Sequence, residues 1–361
     1  MTSKKYAVYT VSFLYVFIVI NLVLWNFMTK DFLNMSEIER NSSQKLTQPL
    51  TEQVHYPLHH TNLADYVVSG RTESFDVMTL GDSFSNGQDG SSYQDYLLNQ
   101  YGITSINVSF SQANGLESLY MLISSGLIDE LKPRLVILES VERYVQSNLG
   151  RTEVAQTNLP RDTVMQKLPA AHASKASTVA RISSGLIPPV FVQWNTNFFS
   201  NKLRYMLNPE KLSSSIYAAN LDRQFFTNPG YEDKLFFYYE DLYYLQEPLN
   251  AEMVNHNLNT AARLLKAKGI TLIFFAAADK YDLYSPYILD KKGRPENTSF
   301  QKMRDVPGKE YIYVDTMTIL REALKRGEKD VYWLDDSHWS HRGIKIFCDE
   351  LVKYILPASR H

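Results

Sequence analysis

A single cysteine, Cys348, among 361 residues leaves no partner for an intrachain disulfide and rules out a multi-cysteine metal site. Charge of one sign is also missing. Lys and Arg total 37 against 39 Asp and Glu, a net of −2, which excludes the broad basic footprint of a nucleic-acid binder. No internal repeat is present. A chain that is 44% hydrophobic and 21% charged is long enough to bury a sizeable core. The 24 tyrosines and 18 phenylalanines suit wet, partly apolar surfaces.

Charge is absent altogether from residues 6–28, "YAVYTVSFLYVFIVINLVLWNFM". That run is long enough to cross a bilayer as one helix. No A-x-A cleavage pattern follows it in "LWNFMTKDF", so an uncleaved anchor is expected rather than a signal peptide. Lys4 and Lys5 precede the run, and the positive-inside rule places the short N-terminus in the cytoplasm and the rest outside. Residues 1–30 are thus expected to be cytoplasmic end and anchor. Residues 31–70, polar around "NSSQKLTQPLTEQ", are expected to be a stalk.

From residue 71 to 358 a single domain is expected. Strands are expected at "FDVMTL" (75–80), "ITSINVSF" (103–110) and "RLVILES" (134–140). Helices fall between them at residues 91–102 and 115–126. That alternation implies an α/β fold with a parallel sheet and right-handed crossovers. The rhythm breaks over about 145–248, read as an insertion or lid. It resumes with a helix ending in "NTAARLLKAKG", the strands "ITLIFFAA" and "YIYVD", and a closing helix at 341–355 with Ser340 as N-cap. Cys348 lies on the apolar face of that helix, with Ile344, Phe347, Leu351, Val352 and Ile355.

In an open parallel sheet, ligands bind beyond the carboxyl ends of the strands. "GDSFS" follows the first strand there, and Ser83 becomes a nucleophile only with a base and an orienter. "WLDDSHWSHRG" (333–343) offers both: His338, with Asp336 two residues back and Asp335 three back. An imidazole takes the hydroxyl proton, and a carboxylate on its other nitrogen holds the tautomer. Ser83 is expected at the start of a helix, with backbone N–H groups of Ser83 and Gly115 near a developing oxyanion. Adjacent aspartates on one loop cannot readily converge on an ion with both His338 and His341, so no metal is expected.

"GDSFS" early and "DDSHW" late resemble the first and last blocks of the SGNH (GDSL-type) hydrolase superfamily. "FFAAADKYDLYSPYI" (274–288) and "ESVER" (139–143) are similar to segments of its alginate O-acetyltransferase (AlgX/AlgJ)-like, DHHW-type branch. Three departures stand out: Ala where proline is frequent before Lys280, "ESVER" in place of the Gly-x-Asn-Asp block of ordinary esterases, and a serine that precedes the Asp-His pair. The resemblance implies a three-layer α/β/α, flavodoxin-like fold and Ser83, His338 and Asp336 as a triad. Asp335 is the alternative orienter where the superfamily's D-x-x-H spacing holds. It also implies that Arg143, Lys280 and Tyr281 serve oxyanion or substrate binding beside Gly115. By the same resemblance the chain is a bacterial inner-membrane O-acyltransferase facing the periplasm or cell exterior. Its acceptor is then a cell-surface or secreted polysaccharide, its acyl donor a multi-pass membrane-bound O-acyltransferase, and no cofactor is needed. Two other functions fit the same residues: an SGNH esterase removing acyl groups from glycans or lipids, and a non-catalytic glycan-binding subunit of an export machine.

Overall fold

A computed structural model describes residues 3–69, 74–86, 92–110, 114–168 and 188–356. The boundary expected at 70–71, the ends 1–2 and 357–358, and residues 169–187 of the expected insertion lie outside the described residues.

Six strands form one parallel sheet: β1 (Thr61–Asn62), β2 (Val77–Leu80), β3 (Ser105–Val108), β4 (Leu135–Val141), β7 (Thr271–Ala277) and β8 (Ile312–Tyr313), in the order β1-β3-β2-β4-β7-β8. The five strands after β1 lie in the order β3-β2-β4-β7-β8, which is the flavodoxin-like 2-1-3-4-5 winding with β1 added at one edge. β4 sits at the centre, and every one of its seven residues is buried, as the continuous apolar run "LVIL" requires for a strand covered on both faces. Helices Gly115–Ser124 and Ala251–Lys266 cover one face. Helices Tyr93–Tyr101, Thr316–Lys325 and His341–Ile355 cover the other, giving three layers. Phe275 of β7 meets Tyr93 and Phe347 at ring-centroid distances of 5.8 and 4.6 Å, which seals that second face. Cys348 is fully buried in the same layer, with its thiol beside the Tyr93 carbonyl.

Each helix stops or starts where its sequence dictates. Ser92 accepts from the Asp95 N–H while Asp95 accepts from the Ser92 N–H, and Gly102 ends that helix at φ 65°. Ser340 accepts from the Arg342 and Gly343 N–H groups and so opens the last helix.

Between β4 and β7 the chain adds a helix, Pro188–Leu207, and an antiparallel ribbon of β5 (Ile216–Asn220) and β6 (Lys234–Tyr238). The helix Ser3–Leu24 opens the described chain, and Lys4–Phe32 is long and apolar enough to cross a membrane, with almost none of it buried. Residues 31–69, in the segment expected to be a stalk, pack onto the domain instead. Helix Glu37–Ser42 inserts a fully buried Ile38, and Thr61–Asn62 pairs with Ile106 and Asn107 as the edge strand. Polar composition hid this, because the buried apolar side chains Ile38, Leu46, Tyr56 and Leu63 are scattered without period among polar residues and the exposed Leu50, Val54, Leu58 and Val68.

Candidate active site

The winding reverses between β2 and β4, and the crevice at their carboxyl ends is where such a sheet binds ligands. Ser83 emerges there. It does not begin a helix: residues 82–86 form one turn closed by Asn86 N–H to Asp82 carbonyl at 2.8 Å, and the helix waits until Tyr93. Ser92 caps that helix, its side chain accepting from the Asp95 N–H. Ser83 is exposed, and its N–H has no partner among the described residues.

Glu139, near the end of β4 and 2% exposed, braces that turn. One of its carboxylate oxygens, Oε2, accepts from the N–H groups of Asp82 (2.9 Å) and Ser85 (3.2 Å), which flank Ser83. Asp82 in turn accepts from the Val141 N–H at 2.7 Å. Burial, then the charge of Asp82, pushes the Glu139 carboxyl well above the usual range. Gly81 lets the two elements approach this closely: a Cβ there would collide with the Glu139 carboxylate and the Ser85 hydroxyl.

The loop 333–338 brings the base. It closes on itself through Trp333 N–H to His338 carbonyl (3.3 Å), while Ser340 N–H reaches the Val331 carbonyl at 3.0 Å. His338 Nε2 lies 2.7 Å from Ser83 Oγ, and His338 Nδ1 lies 2.6 Å from Asp336 Oδ1. Asp336 Oδ1 also accepts from the His338 N–H at 3.0 Å. Phe84 packs its ring against His338 and Trp339, with centroids 4.8 and 4.9 Å away, fixing the imidazole's height above the serine. Asp335 does not reach the imidazole; its carbonyl accepts from the Ile38 N–H at 2.9 Å. The D-x-H spacing therefore governs the contact.

Burial works against the charge on both partners, but their mutual hydrogen bond prevails. It holds Asp336 below the usual carboxylate range and raises His338 above the usual imidazole range. Glu37 contributes to the second effect. Its Oε2 lies 3.9 Å from His338 Nδ1, and nothing in its polar surroundings in the sequence marked it out.

Gly115 stands at the first turn of its helix, behind the cap Asn114, and lines a cavity of about 190 Å³ with Gly81, Asp82 and Ser140. Its N–H has no partner among the described residues.

Three residues expected at the oxyanion or substrate lie elsewhere. The Arg143 guanidinium is committed to Asp279 and to Asp241 (3.2 Å). The Lys280 ammonium is buried and donates to the carbonyls of Trp333 (2.6 Å), Leu334 (2.8 Å) and Asp336 (3.0 Å), clamping the histidine loop from beneath. Burial pushes its pKa down to about 8. Tyr281 is buried against Phe237 with ring centroids 4.8 Å apart. Lys280 and Tyr281 are thus concealed from solvent, while Arg143 is partly exposed with its charge paired.

Two groups of side chains could hold an ion by proximity alone among the described residues: Glu37, Asp336 and His338, and the buried Glu142, Asp279 and Asp282. In the first, both imidazole nitrogens are already engaged by Asp336 and Ser83. In the second, Asn297 points its amide N–H₂ at Glu142 (2.8 Å) and Asp282 (2.7 Å), and Arg143 neutralises Asp279. His341, at the first turn of the last helix, is half-buried with its ring edge-on to Tyr56 and Trp333, and burial pushes its pKa down to about 4.

Residues 229–358 match the family model of the SGNH hydrolase-like domain of acetyltransferase AlgX. The AlgX-like SGNH resemblance is therefore found over a stretch that carries Lys280, Asp335, Asp336 and His338, and it starts at Pro-Gly before β6. It supports an SGNH hydrolase-like, acetyltransferase-type function. No curated protein and no solved structure gives a match.

Proposed function

We propose that the chain is a membrane-anchored O-acyltransferase, an O-acetyltransferase by preference, working outside the cytoplasmic membrane on a cell-surface or secreted polysaccharide. The observation that carries this reading is the hydrogen-bonded series Ser83–His338–Asp336, at 2.7 and 2.6 Å, at the carboxyl edge of a parallel sheet.

Ser83 Oγ attacks the acyl carbonyl as its proton passes to His338 Nε2, and Asp336 steadies the imidazolium. The oxyanion is received by the Ser83 N–H, which has no partner among the described residues, and by the Gly115 N–H. The leaving group departs with the proton from His338, leaving an ester on Ser83. A sugar hydroxyl, deprotonated by the same imidazole, then takes the acyl group and frees the serine. Acyl donors made in the cytosol reach such a site only through a membrane partner, by analogy a multi-pass membrane-bound O-acyltransferase. The apolar helix at Lys4–Phe32 supports the anchor.

Hydrolysis is the second reading, and the exposure of Ser83 favours it, since water reaches the same ester. The full-length protein in detergent, given a chromogenic acetyl ester with and without an oligosaccharide, separates the two. Acetylated sugar supports transfer, and acetate alone supports an esterase. No turnover, with Ser83→Ala indistinguishable from the parent, removes both and leaves a glycan-binding subunit.

A further inference from the structure

We propose that Glu37, from the segment that leaves the candidate span, is a positioning residue for His338, so that the site is incomplete without residues 36–42. This rests on the triad reading above.

The loop 333–338 needs two kinds of partner. Its carbonyls at Trp333, Leu334 and Asp336 receive the Lys280 ammonium. Its donors at Ser337 receive Glu37: Oε2 accepts from Ser337 Oγ at 2.6 Å and from Ser337 N–H at 3.4 Å. Ser337 is 6% exposed, so without Glu37 its hydroxyl would be left buried with no acceptor. One residue on, the Ile38 N–H donates to the Asp335 carbonyl. Ammonium on one side and carboxylate on the other hold the short loop at both kinds of group.

Glu37 is itself fixed. Ile38 is fully buried. Glu39 accepts from Ser36 Oγ (3.1 Å) and from the Leu46 N–H (2.6 Å), drawing residues 36–46 into a compact loop. Asn201 of the helix Pro188–Leu207 donates to the Asn41 carbonyl and the Ser43 hydroxyl, both at 3.2 Å. The carboxylate therefore has little freedom to leave the histidine.

Its charge acts as well as its hydrogen bonds. The charged groups facing the imidazole are Asp336 and Glu37, which favour the imidazolium, and Arg143, which opposes it. A second carboxylate near Nδ1 lowers the free energy of the protonated ring that forms as Ser83 loses its proton.

The test uses full-length protein in detergent, as parent, Glu37→Gln and Glu37→Ala. The acid limb of kcat/KM for a chromogenic acetyl ester should move to lower pH in both variants. Glu37→Ala should lose on the order of tenfold at the plateau, with much of that recovered by Gln, which can still accept from Ser337. The His338 imidazole, assigned by its loss in His338→Gln and followed by NMR in a Ser83→Ala background, should titrate at lower pH when Glu37 is neutralised. A limb and a titration that both stay put would overturn the proposal. If Glu37→Ala does not fold, Glu37→Gln decides the matter alone. If Ser83→Ala keeps full turnover, the acyl-transfer reading fails, and the imidazole titration still decides whether Glu37 acts on His338.

Discussion

Ser83 Oγ stands 2.7 Å from His338 Nε2 across a separation of 255 positions in the chain. Folding alone joins them, through a turn at the end of β2 and a loop ahead of the last helix. Ser83→Ala and His338→Gln are each expected to reduce ester turnover by about 10³-fold or more, with melting temperature nearly unchanged. Mass spectrometry of the parent quenched during turnover should find an acylated Ser83 peptide, absent from both variants.

Asp336 and Asp335 are neighbours with different work. Asp336→Asn should cost roughly 10³–10⁴-fold in kcat, because the amide favours the wrong tautomer of His338. Asp335→Asn leaves its carbonyl contact to Ile38 intact and should cost less than about tenfold. Steady-state kinetics on the two proteins ranks them; equal losses would reject the assignment.

Gly81 and Glu139 set the attitude of the serine turn. Gly81→Ala forces a methyl group into the Glu139 carboxylate and should lower the thermal midpoint along with activity. Glu139→Gln keeps an acceptor for the Asp82 and Ser85 N–H groups and should fold, whereas Glu139→Ala leaves both amides buried without one and should destabilise by about 2–4 kcal/mol. Denaturant titrations of the three variants read the order.

Lys280 makes a cleaner separation of packing from charge. Lys280→Met fills similar volume but strands three carbonyls of the histidine loop. Activity should fall on the order of 10²-fold, chiefly in kcat, since the imidazole loses its seat rather than its chemistry. An unchanged kcat would mean the loop holds its own shape.

Stability should decline as pH rises from acid to mildly alkaline. Burial pushes Asp282 up to about 8 from an ordinary 3.8, and burial raises Glu142 in the same direction. The folded chain thus keeps protons that the unfolded chain has released. The stabilisation is complete below the unfolded value and disappears as pH climbs through the folded one, between about 4 and 8 for Asp282. Asp282→Asn should flatten that decline, measurable as a smaller difference in melting temperature between pH 5 and pH 8.

Much of this was legible in the sequence, for physical reasons. The strands over "VMTL", "LVIL" and "TLIFFAA" are continuous apolar runs, which only a two-faced parallel sheet can bury. The contacts of His338 with Ser83 and Asp336 were legible because the serine follows a strand and the histidine and aspartate share one loop. Glu37 was not, since a carboxylate in a polar stretch looks the same whether it meets water or Ser337. Arg143 was misplaced because its partners Asp241 and Asp279 lie 98 and 136 positions away, and spacing carries no information about such pairs. β1 is two residues long, below any periodicity.

The candidate span ends at Phe32, and Glu37 already touches the histidine loop, so residues 33–36 are all the slack between them. With that helix in a bilayer, the domain has no leash on which to roam. Its radius is set by four residues, so under the proposed acyl transfer the acyl group has to arrive close to the lipid surface, because Ser83 cannot travel out to collect it.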